Sequence, residues 1–216
     1  MADIFQEVDE ELRRHRAVQL WRRYGIYVIG AAVVLVLATA AWTGWNHYRT
    51  QQRIEAGNRF TAGLLLANQG QLDEAGKLFS EVEGAPAAGF ALLARFETAA
   101  LKQRAGDRPG AIAIYDAIAA DGKAPDSYRE AALLLSVMQS ADDGDPKALA
   151  DRLAPIAADA NPWRFMAREL QAVLAHRAGD TARARTMLKA LSDDAAAPAA
   201  LRARAAEMSQ ALDGGA

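Results

Sequence analysis

The sequence contains no cysteine and only three histidines, and each shortage removes a class of function. Without cysteine the chain can form neither a disulfide nor a thiolate nucleophile. The histidines are scattered along the chain, at His15, His47 and His176, so we expect no metal site. The sequence also lacks a serine-nucleophile motif, a phosphate loop and a zinc-protease motif. These absences predict a protein that is not an enzyme and holds no cofactor.

No charge of one sign dominates the chain, which has 25 basic and 27 acidic residues and a formal net charge of −2. Nothing in this balance indicates a nucleic-acid partner, and no motif indicates a small-molecule substrate. Runs of β-branched residues are absent outside 25–45, whereas alanine is abundant throughout. This composition predicts an all-α chain with closely packed helices.

Charge is missing altogether from residues 25–45, and this stretch also lacks histidine, asparagine and glutamine. As a helix it would measure roughly 30 Å, the thickness of a bilayer's hydrocarbon core. Its hydroxyls at Thr39 and Thr43 can bond to carbonyls of the helix itself. Aromatic residues flank both ends, as expected at the two membrane interfaces. We predict a single transmembrane helix that contacts the lipid bilayer directly.

Two alternatives exist for this stretch. A cleaved signal peptide is one, since Ala38, Thr39 and Ala40 resemble a cleavage site. The charged leader that precedes the stretch is unusually long for a signal peptide, however, and the apolar run continues beyond the site. A buried core helix is the other, but a charge-free run of this length is rare in a soluble domain.

The leader, residues 1–24, has acidic residues followed by basic ones and apolar residues at helical spacing. It predicts an amphipathic helix that either lies on the membrane surface or docks a partner. Five arginines precede the apolar stretch closely and three follow it, which by the positive-inside rule places the N-terminus in the cytoplasm. Residues 46–216 would then form a domain across the membrane.

The remaining chain has an internal period in the mid-thirties. Four glycines, each followed by a polar residue, recur at nearly equal intervals: Gly70, Gly106, Gly144 and Gly179. A mostly small residue lies five positions after each glycine, large apolar residues lie nine and twelve positions after, and a proline comes later. These sets are Ala75, Ala111, Leu149, Ala184; Phe79, Tyr115, Leu153, Leu188; Val82, Ile118, Ile156, Leu191; and Pro86, Pro125, Pro162, Pro198.

Each element of the period has a physical role. The glycine ends one helix, the polar residue caps the next, and the small residue allows two helices to approach. The large apolar residues fill the space between them, and the proline stops the pair. Two helices per period of this length predict a helical solenoid.

The same pattern resembles the tetratricopeptide repeat over about residues 57–198. The first helix of each unit is degenerate, because Arg59, Arg95 and Arg168 stand where an aromatic or apolar residue is usual. The resemblance implies a right-handed helical solenoid of about four degenerate repeats. Residues 197–212 carry apolar residues on one face at helical spacing, which predicts a terminal helix that caps the last repeat.

The layout as a whole resembles the YfgM-like family, ancillary subunits of the bacterial Sec translocon. The resemblance implies an inner-membrane protein with periplasmic repeats, whose partners are Sec translocon subunits and a membrane-anchored periplasmic chaperone. We therefore expect a membrane-anchored protein–protein interaction scaffold. A scaffold or assembly factor for another envelope complex, in cell division or outer-membrane assembly, is the alternative.

The candidate partner-binding residues lie on the first helix of each repeat. In a regular repeat the residues 13, 10 and 6 positions before the glycine face the concave groove, and here most of them are apolar. The candidates are Phe60, Leu64, Phe96, Met138 and Met166. They either line an open hydrophobic groove or, if the helices are rotated slightly, belong to the core.

Overall fold

The structure is a computed structural model that describes the backbone of residues 2–214 and the side chains of 18, 21–27 and 29–213. Within these residues it contains helices and no strand, which confirms the all-α class. The helices are α1 (Ala2–Asn68), α2 (Leu72–Glu83), α3 (Ala88–Arg104), α4 (Arg108–Ala119), α5 (Asp126–Ser140), α6 (Pro146–Leu153), a 3-10 helix (Ala154–Ala157), α7 (Arg164–Arg177), α8 (Thr181–Asp193) and α9 (Ala199–Gly214).

The chain divides into two compact units, the first ending at Ile54 and the second beginning at Glu55. The boundaries expected at 24 and 45 remain predictions. The amphipathic face expected for the leader lies outside the described side chains. Helix α1 ends at Asn68, where the sequence shows its first turn signal.

Among the described residues, one helical stretch, Trp21–Asn68, is by length and composition apolar enough to cross a membrane, and its apolar part lies in the first unit. Its large apolar side chains are uncovered: Ile26 is 78% exposed, Val34 66% and Trp42 70%. This exposure argues against a buried core helix. The hydroxyl of Thr39 donates to the Leu35 carbonyl at 2.7 Å. The hydroxyl of Thr43 donates to the Thr39 carbonyl at 2.8 Å, so the helix satisfies both threonines as predicted.

The second unit buries the residues of the sequence period. All twelve residues that lie five, nine and twelve positions after the four glycines are buried. The five-position alanines, Ala75, Ala111 and Ala184, are 0% exposed. Successive helices contact one another from α2 to α9. The predicted register of the second helices is therefore confirmed, whereas the hand of the solenoid stays a prediction.

The turns follow the prediction in three repeats and depart from it in one. Gly70, Gly106 and Gly179 have a positive φ in the left-handed region, a conformation that other residues rarely adopt. Gly144 has no positive φ. A Cβ at this position would lie 2.9 Å from the Leu149 side chain and 3.0 Å from the Ser140 carbonyl oxygen. Glycine is therefore required here by lack of space and not by its backbone conformation.

Three of the four second helices begin at an aspartate that caps them. The carboxylates of Asp107, Asp145 and Asp180 accept hydrogen bonds from backbone N–H groups of α4, α6 and α8. The pKa of Asp107 is lowered by its hydrogen bond from Lys102 and by the Gly110 N–H. Gln71, before α2, forms no side-chain cap. The first repeat thus begins its second helix without this stabilisation.

Ala111→Leu should destabilise the second unit by about 1–3 kcal/mol, because the added atoms have no space in a contact that is fully buried. Thermal unfolding followed by circular dichroism measures the change. Ala196→Leu is the matched control, since Ala196 is exposed in the loop before α9. Equal melting temperatures for the two variants would contradict the helix contact at Ala111.

Candidate partner-binding surface

The first-helix stripe, defined as the residues 13, 10 and 6 positions before each turn glycine, is mostly half-buried. Its single buried member is Leu134, and its exposed members are Met138 and Met166. Met138 is 45% exposed and Met166 39%. The stripe is therefore neither a fully open groove nor a sealed core, and its residues have to be considered individually.

Phe60 connects the two helices of the first repeat with the start of the second repeat. Its ring centroid lies 5.6 Å from that of Phe79 on α2 and 5.9 Å from that of Phe90 on α3. Leu64, one turn later, packs on the same buried cluster around Phe79. Tilted ring pairs at these distances stabilise a fold beyond the burial of area alone.

Phe96 occupies the same place in the second repeat and forms equivalent contacts. Its ring centroid lies 6.0 Å from that of Tyr115 on α4 and 6.2 Å from that of Tyr128 on α5. Burial raises the pKa of Tyr115. In the third repeat Leu134 and Leu153 lie in one cluster with Trp163 packed against it. The residues ten positions before each turn glycine therefore join one repeat to the next in the first three repeats.

The fourth repeat replaces the apolar contact with an ion pair. Glu169 lies ten positions before the turn glycine, the place that Phe60 and Phe96 hold in their repeats. Arg204 of α9 binds both carboxylate oxygens of Glu169, with Nη2 2.5 Å from Oε2. The Glu169 side chain is only 13% exposed, and its hydrogen bond and charge raise the pKa of Arg204. The last helix is thus held to the fourth repeat by charge at the place where earlier repeats use rings.

The structure does not assemble the five predicted residues into one site. Phe60 and Leu64 share a cluster, whereas Phe96 packs in a separate one around Tyr115. Met138 on α5 and Met166 on α7 lie outside the buried clusters. A partner-binding role for the five residues remains a prediction, and the two methionines are the members with the most free surface.

Sequence reasoning treated the first-helix arginines only as departures from the repeat pattern, and missed their role as ion-pair partners. Arg95 Nη1 lies 2.8 Å from Asp121 Oδ2, and Arg168 pairs with Asp159. The pKa of Asp121 is lowered by the Lys123 N–H and by Arg95. The signal was available in the sequence, since both aspartates stand in the loops that connect repeats.

The Arg95–Asp121 pair borders an open cleft of about 500 Å³ between the first turns of α3 and α5. Its walls are mainly apolar, with Leu92, Pro125 and the 40% exposed Tyr128. The cleft has the size of a small-ligand pocket, and its charged lining residues are Glu83, Arg95, Asp121 and Lys123. Among the described residues no group of three acidic or histidine side chains could hold a metal ion.

Phe96→Ser should destabilise the full-length protein by at least about 3 kcal/mol, because it leaves a cavity and a poorly solvated hydroxyl beside Tyr115. Met138→Ser is the control and should change stability by less than about 0.5 kcal/mol, since Met138 is exposed. Thermal unfolding in detergent compares the two. A Phe96→Ser protein as stable as the control would instead favour an open groove at Phe96.

Comparison with known proteins agrees with the repeat architecture. Residues 19–205 match the model of the Tetratricopeptide repeat-like domain family. Searches of the curated proteins and of the solved structures give no match. The family model covers most of the sequence, including all four repeats, most of α1 and the first part of α9. This chain therefore belongs to the Tetratricopeptide repeat-like domain family.

Proposed function

We propose that the protein is a membrane-anchored scaffold that binds other proteins through its repeat domain. The observation that carries the proposal is the presence, in one chain, of an exposed helical stretch without charge, residues 25–45, and a tetratricopeptide repeat-like domain. Domains of this kind are protein-interaction folds and are generally not catalytic. The combination holds a binding domain at a membrane.

The anchor is supported by the side chains of the first unit. A helix with uncovered apolar side chains is unfavourable in water, whereas lipid chains contact those side chains and a helix satisfies its own backbone in lipid. Trp21 and Tyr24 flank one end of the stretch and Trp42 and Trp45 the other, all of them exposed. Rings in these positions lie at the two headgroup layers. We therefore propose the domain order 1–24, 25–45 and 46–216, with the middle segment retained as a transmembrane helix.

The orientation and compartment follow from the arginine bias and from the resemblance to the YfgM-like family. On this proposal the leader is cytoplasmic and the repeats are periplasmic, in a bacterial inner membrane. The partners would be Sec translocon subunits and a membrane-anchored periplasmic chaperone. The second candidate is a scaffold for another envelope complex, which the same fold and anchor would serve equally well.

The surface for these partners would include the exposed side chains of Met138 and Met166. Methionine is flexible and polarisable, so it adapts to several apolar partners. The more deeply packed Phe60, Leu64 and Phe96 would add the parts of their surface that remain half-exposed. Arg95 and Lys123, at the rim of the cleft near Tyr128, would add polar contacts.

Topology can be tested with single cysteines, because the natural chain has none. Gly214→Cys should react with a membrane-impermeant maleimide in intact spheroplasts, whereas Ala2→Cys should react only after lysis. Labelling of Ala2→Cys before lysis would contradict the orientation. Release of the protein by alkaline carbonate would contradict the anchor itself.

The partner assignment can be tested by purification of the full-length protein from mild detergent. Translocon subunits are expected to co-purify, and replacement of both Met138 and Met166 by Arg should reduce their yield without lowering the melting temperature. Ala113→Arg, at an exposed site on α4, is the control and should have no effect. Recovery of division or outer-membrane assembly proteins in place of translocon subunits would support the second candidate.

A further inference from the structure

Acidic residues are missing from a long part of the chain around the apolar stretch. From Leu12 to Ile54 the sequence contains no aspartate and no glutamate, although the whole chain contains 27 acidic residues. The same part carries arginines on both sides of the apolar stretch: Arg13, Arg14, Arg16, Arg22, Arg23, Arg49 and Arg53. Both ends of the stretch are therefore flanked by positive charge, and the nearest acidic residues in the sequence are Glu11 and Glu55.

The positive-inside rule accounts for the arginines at only one end. It explains basic residues on the cytoplasmic side and gives no reason for them on the other side. On the proposed orientation Arg49 and Arg53 lie on that other side. The nearest carboxylate in sequence, Glu55, pairs with Arg59 at 2.6 Å. The ion pairs among the described side chains include neither Arg49 nor Arg53, so both charges are available to an anion outside the chain.

Arg49 and Arg53 continue the line of Trp45 along one face of α1. The three residues are four positions apart, so their side chains leave the helix in nearly the same direction. All three are exposed. Trp45 is 62% exposed, and its ring centroid lies 6.5 Å from that of Tyr48, which is exposed as well. This end of the stretch thus presents two rings followed by two guanidinium groups.

The spacing of these groups matches the layers of a bilayer. Each headgroup layer is about 5–8 Å thick, half of the difference between the whole bilayer and its hydrocarbon core. At about 1.5 Å per residue, Arg49 lies roughly 6 Å beyond Trp45 along the helix, and Arg53 lies roughly 12 Å beyond it. With Trp45 at the edge of the hydrocarbon, where such rings lie, Arg49 is level with the lipid phosphates. The long side chain of Arg53 can reach back to the same level.

We propose that Arg49 and Arg53 bind the phosphate groups of anionic phospholipids, so that this end of the helix selects such lipids over zwitterionic ones. The inference rests on the transmembrane anchor proposed above and names the lipid class that the anchor prefers. A guanidinium group can donate two parallel hydrogen bonds to one phosphate. In a zwitterionic headgroup an ammonium group offsets the phosphate charge, whereas an anionic headgroup keeps it. Residues 46–54 contain no carboxylate that would repel the lipid.

The experiment measures which lipids surround this end of the helix in the full-length protein. A fluorophore on Ala41→Cys, the single thiol, reports from one turn before Trp45 on the same exposed face. The protein is reconstituted in vesicles of phosphatidylcholine with brominated acyl chains, which quench the fluorophore on contact. Unbrominated phosphatidylglycerol should relieve the quenching more strongly than unbrominated phosphatidylcholine does. In Arg49→Gln/Arg53→Gln the association constant of phosphatidylglycerol relative to phosphatidylcholine should fall at least about fivefold, the factor that one basic side chain near a membrane surface contributes.

Two further variants serve as controls. Arg183→Gln/Lys189→Gln removes the same charge from exposed positions of α8 and should leave the relative association constant unchanged. Arg49→Lys/Arg53→Lys keeps the charge and should retain most of the preference. Equal relief of quenching by the two lipids in the otherwise wild-type protein would overturn the inference, and so would a preference that Arg49→Gln/Arg53→Gln leaves intact.

Extraction with alkaline carbonate distinguishes a failure of this inference from a failure of the anchor. A protein that stays in the membrane but shows no lipid preference contradicts only the lipid site. A protein that carbonate releases contradicts both the anchor and the lipid site that depends on it.

Discussion

Close approach of the two helices within the first, second and fourth repeats is the constraint on which much of the second unit depends; the third repeat has Val137 and Leu149 at the corresponding places. In the first repeat a Cβ at Gly63 would lie 2.6 Å from the Phe79 ring, so only glycine fits there. Ala99 and Ala172 hold the equivalent places in later repeats at 0% exposure. They face second helices that contribute small residues of their own, Ala111 and Ala184. Dense packing of this kind leaves no room for larger side chains, so the small residues set the distance between helices.

Arginines then join one repeat to the next. Arg104 donates to the Ala67 carbonyl near the end of α1, and Arg177 donates to the Ala141 carbonyl just after α5. Both arginines precede their turn glycine by two positions and reach equivalent carbonyls of the preceding repeat. At the junction of the second and third repeats Arg108 instead reaches forward to the Gln139 carbonyl and to Asp142 and Asp143. Charged donors satisfy carbonyls that a helix end leaves without intrahelical partners.

Both kinds of contact stabilise the repeat stack from within. The glycine, alanine and ring contacts are internal to the stack, so their loss affects the whole domain. Exposed residues such as Met138, Met166 and Leu65 lie outside the buried clusters, so they contribute little to the packing of the stack. A helical stack that satisfies its own core in this way can change its surface residues without changing its fold, which suits a protein that binds others.

The sequence by itself determined the helical class, the repeat period and the register of the second helices, because glycine, alanine and proline punctuate the chain at fixed spacing. It also predicted a helical segment long and apolar enough to span a membrane, since a run of about twenty residues without charge can be read directly from the sequence. Only the tertiary structure decided which residues of the first helices are buried and which are exposed. Whether Phe96 is core or surface depends on the rotation of α3 against Tyr115 and Tyr128, which belong to later helices of the chain. Likewise Leu65 and Leu101 occupy the same position in the repeat, and only the presence or absence of a covering helix makes one exposed and the other buried.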